Sequence, residues 1–300
     1  MSDPWGQGSG GSPFSAPLVR DRRSRLLGGG SGVAISTAST LVVLGAIVLA
    51  VMLAPGSATV RHTFFSLSDM KAAFLGDPAK GWFSVGSAFV LNIEMFLAGE
   101  AIILILALVI AVVRQQRAPV FFPLRVAATI FVDIFRGIPT LLIVYAIGFG
   151  VPALYLRGIS DQPTYVYGVA GLVLSYSAYV SEVYRAGLNS VPPSQVAAAR
   201  SLGLSEWKTL RHVVLPQAVR TVIPPLLNDF IALQKDTALI AVLGTIEANR
   251  AAEIYSDTVF NYSGYTVAAV LFLAVTIPMA RLTDRLIARD RAARFALGVR

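Results

Sequence analysis

The sequence predicts an all-α integral membrane protein with about six transmembrane helices, and three observations carry that prediction. Of 300 residues, 55% are hydrophobic and only 14% charged, with a mean hydropathy of +0.67. Soluble domains carry about 25% charged and about 45–50% apolar residues, and a soluble core in a chain of this length needs far less apolar material. Runs near the ~20 residues that cross a bilayer recur along the chain. Basic residues are segregated between those runs. The hydrophobicity excludes disorder for most of the chain, and the absence of cysteine excludes a disulfide scaffold or a Cys-based metal or redox site.

The elements follow in order. Residues 1–32, rich in Gly, Ser, Pro and Arg, read as a disordered cytoplasmic tail ending in Arg20, Arg22, Arg23 and Arg25. The first span, Val33 to Ala54, follows this basic run as a signal peptide's core would. Its 22 residues exceed the ~7–15 of a signal sequence, so it reads as a retained anchor helix. An extracytoplasmic loop covers residues 55–84. The second span runs from Val85 to Val113 and contains Glu94 and Glu100. The third, Val126 to Val151, carries Asp133 and Arg136 three residues apart, just before Gly137 and Pro139 loosen the helix. The fourth, Tyr165 to Leu188, lines up Ser175, Tyr179 and Glu182 on one stripe, with Arg185 beyond. The fifth, Leu215 to Lys235, places Asn228 in line with Lys235 and Asp229 in line with Asp236. The sixth runs from Tyr265 to Ala288, and residues 289–300 form a basic cytoplasmic tail.

Charge sets the orientation. One set of loops and span ends holds 18 of the 25 basic residues, and the opposite loops hold five: Arg61, Lys71, Lys80, Arg157 and Arg250. The positive-inside rule then puts both termini in the cytoplasm, as six spans require. The net charge of +8 is on this reading a record of insertion, dispersed between spans, with no face gathered for nucleic acid.

The loop over residues 189–214 is the most informative. Pro192 and Pro193 end the fourth span, Ser194 is placed to N-cap a short helix, Gln195 to Leu202 favour helix, and Gly203 suits the position after its end. Ser205 then caps a second short helix that includes Trp207 and leads to Pro216. The predicted helix crosses the ends of two spans, and its alanines allow a partner's backbone to approach closely.

The spacing Ala197-Ala198-Ala199, three residues, Gly203, nine residues, Val213, Val214, Leu215-Pro216 resembles the Glu-Ala-Ala loop of ABC importer permeases. Further stretches are similar to the polar amino acid branch, the histidine/glutamine-type permeases. These are Phe135-Arg136-Gly137-Ile138-Pro139, Ala178 through Leu188, Ser190-Val191-Pro192, Leu215 through Arg220, and Lys235 through Leu239. The resemblance covers about Val85 to Ala288. It implies a five-helix type I importer core over residues 85–288 plus the N-terminal anchor helix, and a separate ATPase that receives the loop helix in a groove. On that resemblance Pro192, Ser194, Ala197, Ala198, Ala199, Arg200, Gly203, Trp207, Leu215 and Pro216 couple the chain to the ATPase. It implies as partners a second permease subunit, two ATP-binding subunits and an extracytoplasmic amino-acid-binding protein. ATP and Mg2+ would sit on the partner, with no cofactor on this chain. One departure is Ala197, where the family usually has Glu. With Ser194 as N-cap, residue 197 is the third helical position, where Glu would complete a capping box, and its loss weakens the helix by up to about 1 kcal/mol. Shape, Gly203 and Arg200 then carry more of the coupling.

A charge at the bilayer centre costs about 2.5–3.5 kcal/mol, so each intramembrane ionisable residue needs a reason. Asp133 with Arg136, and Glu182 with Arg185, can neutralise each other, and Lys235-Asp236 can mark the break of the fifth helix. The functional alternative is a water-filled path for a zwitterionic solute, with Asp229, Lys235, Asp236, Asn228, Glu182, Tyr179, Arg136 and Asp133 as its candidates. His62 and His212 lie alone in loops and make no metal site. No Gly-Lys pair occurs anywhere, so no P-loop can cradle ATP phosphates. An ion-driven transporter or channel would explain the intramembrane charges but gives the alanine-rich loop no role; a membrane enzyme needs convergent carboxylates that no spacing supplies; and an exporter half fits less well because the resemblance is to importers.

Overall fold

The computed structural model describes residues 30–296, with side chains from 34 to 289. Most of the tail read over residues 1–32, with its four arginines, and the chain end after Ala296 lie outside the described residues. The described chain is helical nearly throughout and falls into two units, up to Val60 and from Arg61 onward.

The first unit contains α1 (Gly30–Leu53), which has no charged residue along its 24 positions. The hydroxyls of Ser39 and Thr40 donate to the Ser36 carbonyl at 2.9 and 2.8 Å, so these polar groups are satisfied within the helix. The second unit takes in the end of α2 (Ser57–Phe64), then α3 (Leu67–Leu75), α4 (Val85–Gln115), α5 (Phe122–Gly137), α6 (Thr140–Gly150) and α7 (Thr164–Asn189). It continues through α8 (Pro193–Ser201), α9 (Glu206–Thr209), α10 (Leu215–Asp236), α11 (Ala248–Val259) and α12 (Ser263–Ala296).

Helix α7 is the centre of this unit: 61% of its most apolar window is buried, against 33% in α4 and 17% in α12. Glycines permit that position. A Cβ at Gly171 would stand 3.0 Å from the Cα of Val144 on α6. Around α7 the core joins Phe96 and Ile103 of α4, Val144 of α6, Leu233 of α10, and Ile240 and Leu243 of the 3-10 segment Thr237–Leu243. A second cluster, including Ala73, Phe89, Tyr255 and Val267, joins α3, α4, α11 and α12 at the other end of the bundle.

Four expectations from the sequence change. The loop over residues 55–84 is largely helical, and α3 is capped by Ser66 and tied down where Asp69 accepts from the Tyr255 hydroxyl at 2.8 Å and from Asn261 at 3.2 Å. The third span is not continuous: α5 and α6 meet at 109°. The residue before a proline avoids helical backbone, and Ile138 accordingly adopts φ −99°, ψ 133° ahead of Pro139. The last helix continues through Ala296, past the expected span end at Ala288. Among the described residues four helices are long and apolar enough to cross a membrane, or five with the bent pair as one, rather than six. The one that falls short is α10, whose Gln217, Arg220, Asn228 and Lys235 lie to one side and make it amphipathic. Its buried Ala218, Val222 and Leu233 share one face.

Candidate functional site

Two features stand out, a helical pair at one end of the bundle and an open cleft between α5, α7 and α10. Helix α8 starts two residues earlier than expected. Pro192 occupies the cap position with no side-chain hydrogen bond, and Pro193, whose fixed φ suits a first helical position, begins the helix. Ser194 is therefore the second helical residue, not the cap. Ala197 lies beyond the third position, so the capping-box account of its missing Glu does not hold. The C-terminus of α8 follows the expected chemistry. Gly203 takes φ +83°, its N–H donates to Arg200 O at 2.9 Å, and Leu204 N–H donates to Ala199 O at 3.2 Å. This double bond pattern closes a helix through a left-handed residue.

Arg200 pairs with Glu206 at 2.6 Å, which ties α8 to α9. Ser205 caps α9 by accepting from Lys208 N–H at 3.4 Å. A π-helical turn, Leu210–Val214, then leads into α10 through Leu215 and Pro216. Gln217 donates to Gln195 at 2.9 Å, linking α10 back to α8. Val191, Ala199 and Thr209 are buried, while Ala197 and Ala198 are exposed. Leu202 and Trp207 stand 84% and 66% exposed, so the pair presents an apolar outer surface.

The cavity has a volume of about 420 Å3 and is lined by Arg136 of α5, Tyr179 and Glu182 of α7, and Asp229 of α10, with small residues between them. Four of the eight path candidates thus come together. The other four do not. Asp133, Asn228 and Lys235 are exposed away from it, and Asp236 accepts a 2.8 Å hydrogen bond from the Tyr176 hydroxyl. Lys235 and Asp236 fall where α10 gives way to the 3-10 segment.

Arg136 and Asp133 do not neutralise each other, and among the described residues no ion pair includes either. The Arg136 guanidinium instead lies 5.7 Å from the Tyr179 ring centroid, and Tyr179 OH donates to the Arg136 carbonyl at 3.2 Å. Glu182 does pair with Arg185, at 2.6 Å, and also with Arg114 of α4. Arg114 lies 68 residues away in sequence, so only the packing of α4 on α7 reveals it.

Sequence reasoning also missed Glu247. It is fully buried ahead of α11, accepting from Asn92 Nδ2 at 2.9 Å and from the N–H groups of Asn249 and Arg250 at 3.0 and 2.8 Å. Burial pushes its carboxyl above the ordinary glutamate range, against the pull of those donors. An acid opening a short helix was the available signal.

A mostly helical bundle with apolar spans, an open cleft lined by charged residues and an exposed helical pair at one end is the arrangement expected of a membrane transport permease. Residues 103–291 match the family described as binding-protein-dependent transport system inner membrane component, and the chain belongs to that family. It is similar to the probable amino-acid permease YxeN of Bacillus subtilis (strain 168), 33% identical over 65% of this chain and 86% of the relative. The probable glutamine ABC transporter permease GlnM of the same organism is 36% identical over 56% of this chain and 76% of its own length. The nopaline transport permease NocQ of Agrobacterium fabrum is 36% identical over 52% and 70%. Among solved structures, a chain of an amino acid ABC transporter with histidines is 28% identical and superposes with a TM-score of 0.62, covering 68% of this chain and 93% of that one. The MetNI methionine transporter shares the fold, with a TM-score of 0.54 at 17% identity over 75% of this chain and 99% of that one. The chain is a polar amino acid ABC permease, a multi-pass membrane component of a binding-protein-dependent importer rather than an ion-driven transporter or channel.

Proposed function

We propose that the chain moves a polar amino acid of the glutamate or glutamine kind into the cytoplasm, driven by ATP hydrolysis on a separate subunit. The relatives named for glutamine and amino-acid transport support that substrate class. The observation that carries the coupling is the α8–α9 pair. It is tied to α10 where Gln217 donates to Gln195, closed by Gly203, and turns Leu202 and Trp207 outward. Large apolar side chains on a polar loop mark a surface that a partner covers. On this reading that end is cytoplasmic, with both termini on the same side, and the ATPase binds ATP and Mg2+ and receives α8 in a groove. Two permease subunits, identical or paralogous, two ATPases and an extracytoplasmic binding protein complete the transporter.

Gly203→Leu tests it. A bulky residue in left-handed backbone costs about 1–2 kcal/mol, and it unseats the end of α8. Proteoliposomes holding the assembled transporter should lose ATP-dependent uptake of radiolabelled L-amino acid while the variant still inserts into the membrane. Uptake at the wild-type rate would refute the coupling role.

A further inference from the structure

A second cleft, of about 320 Å3, opens where the end of α4, the start of α5 and the end of α7 meet. It is lined by Arg114, Arg125, Val126, Thr129, Ile130 and Arg185. Arginines from three helices converge there, and among the described residues no acidic side chain lines it. Glu182 pairs with both Arg114 and Arg185, so three arginines against one carboxylate leave two positive charges. Arg125 is in no ion pair among the described residues. It is nevertheless held in place. Its Nη1 donates to the Gln116 carbonyl at 2.9 Å, and its guanidinium lies 5.5 Å from the Phe122 ring centroid. A guanidinium has five N–H donors, so most of the fork remains available to a ligand. Helix α5 begins beside it with no side-chain cap, and its dipole adds to the positive field. An anion answers that field.

The surroundings say which anion. Arg114 stands about 44 Å along α4 from Val85, farther than the ~30 Å of a bilayer's hydrocarbon core, so it reaches the headgroup level. Helix α5 packs Val132 with Ile110 of α4 and Ala178 of α7. That turns Val126 and Ile130, one turn apart and 40% and 53% exposed, to the outside of the bundle. A free phosphate would use the arginines alone, whereas a phospholipid uses the arginines and the apolar flank together. We propose that this cleft binds the headgroup phosphate of an anionic phospholipid, with Arg125 and Arg185 meeting the phosphate and the acyl chains lying along Val126 and Ile130. Arginine forks suit phosphate oxygens, and basic pockets between spans suit anionic headgroups. The lining offers no carboxylate to a choline or ethanolamine cation, so the site selects headgroups of net negative charge. It lies at the end of the bundle that carries α8 and α9, and it does not depend on which solute the chain moves.

The test is native mass spectrometry of the full chain, purified in a neutral detergent and titrated with phosphatidylglycerol or with phosphatidylcholine of the same acyl chains. Wild type should retain one phosphatidylglycerol, bound at least about fivefold more tightly than phosphatidylcholine. At about a factor of five per arginine, Arg125→Gln should weaken phosphatidylglycerol binding about fivefold, and Arg125→Gln with Arg185→Gln about 25-fold. Arg125→Lys should restore part of the loss, since it keeps the charge and not the fork. Arg114 is left in place because Glu182 depends on it. Arg211→Gln, exposed in the π-helical turn at the same end and outside the cleft, should bind as wild type does. A large molar excess of inorganic phosphate should leave the lipid bound. Equal binding of the two lipids by wild type, wild-type affinity in the double variant, or an equal loss in Arg211→Gln would overturn the proposal. Displacement by inorganic phosphate would also overturn it, assigning the cleft to a free anion. Should a glutamine variant fail to elute as wild type does, the wild-type preference between the two lipids and the Arg125→Lys affinity decide.

Discussion

Glu182 holds the ends of α4 and α7 together, and neutralising it should destabilise the bundle much more than neutralising either arginine. The carboxylate is 17% exposed and Arg114 is 13% exposed, whereas Arg185 is 41% exposed. Removing one member of a buried pair costs about 3–5 kcal/mol, because the other charge stays desolvated. Glutamine at 182 can still accept one hydrogen bond from Arg114, which reduces the expected cost of Glu182→Gln to about 2–4 kcal/mol. Arg185→Gln removes a half-exposed partner and leaves Glu182 with Arg114, so its cost should be about 0–1 kcal/mol. Arg114→Gln should fall between the two. For a unit of this size each 1 kcal/mol moves Tm by about 2–4 °C. Glu182→Gln should therefore lower the apparent Tm by about 4–16 °C, against at most about 4 °C for Arg185→Gln, in detergent-purified protein followed by intrinsic fluorescence. Equal shifts in the two variants would refute the assignment of the load to the buried Arg114–Glu182 contact.

Two further predictions concern packing and pH. A side chain at Gly187 would press on Val222 and stand 3.1 Å from the Ala218 carbonyl. Gly187→Leu should then lower stability by about 1–3 kcal/mol through overpacking, and Val222→Ala in the same chain should recover part of that loss, whereas purely additive effects would place the contact elsewhere. Glu247, with its carboxyl raised by burial, binds a proton more readily folded than unfolded. Its contribution is thus fully present below the ordinary glutamate pKa and is lost as pH rises through the higher folded value. The apparent Tm of Glu247→Gln relative to wild type should be higher at pH 8 than at pH 5, and parallel Tm–pH profiles would contradict the burial argument.

What could be read from the sequence depended on whether the cause was local. The end of α8 was legible because the left-handed residue after a helix selects glycine, and Gly203 supplies it within a few residues of the segment it closes. The start of α8 was misread for a related reason: Ser194 is a good cap in isolation, but the Pro192-Pro193 pair sets the backbone first. The break after α5 was visible as Gly137 and Pro139, yet its angle depends on where α6 packs, which is decided by Val144 against Gly171. The cavity was legible only as a list of residues. Arg136 and Asp229 sit on different helices, and hydropathy cannot say that Asp133, one turn from Arg136, points elsewhere. Arg185 was available as a neighbour of Glu182, but the more buried partner, Arg114, comes from the far end of α4.

The two features of the candidate site share their supports, and this suggests how one would act on the other. Helices α7 and α10 flank the loop that carries α8 and α9. Their first turns from that loop interlock where Gly187 receives Val222. The same two helices then supply Tyr179, Glu182 and Asp229 to the cavity, while Arg136 comes from α5, on the far side of the loop's supports. Asp229 lies about 20 Å along α10 from Leu215, beyond Pro224 and Pro225, which remove backbone donors from the helix. Movement of α8 by an ATPase, as proposed, would therefore be carried by α7 and α10 and would change the spacing of Asp229 from Arg136. A cleft whose lining charges approach and separate with that motion would give the two states the difference in affinity that coupling requires. Val222→Ala, which loosens the contact at Gly187 and leaves the outer face of α8 and α9 intact, should lower ATP-dependent uptake while the ATPase still co-purifies. Loss of the ATPase from the complex would mean that this contact holds the docking surface rather than carrying its movement.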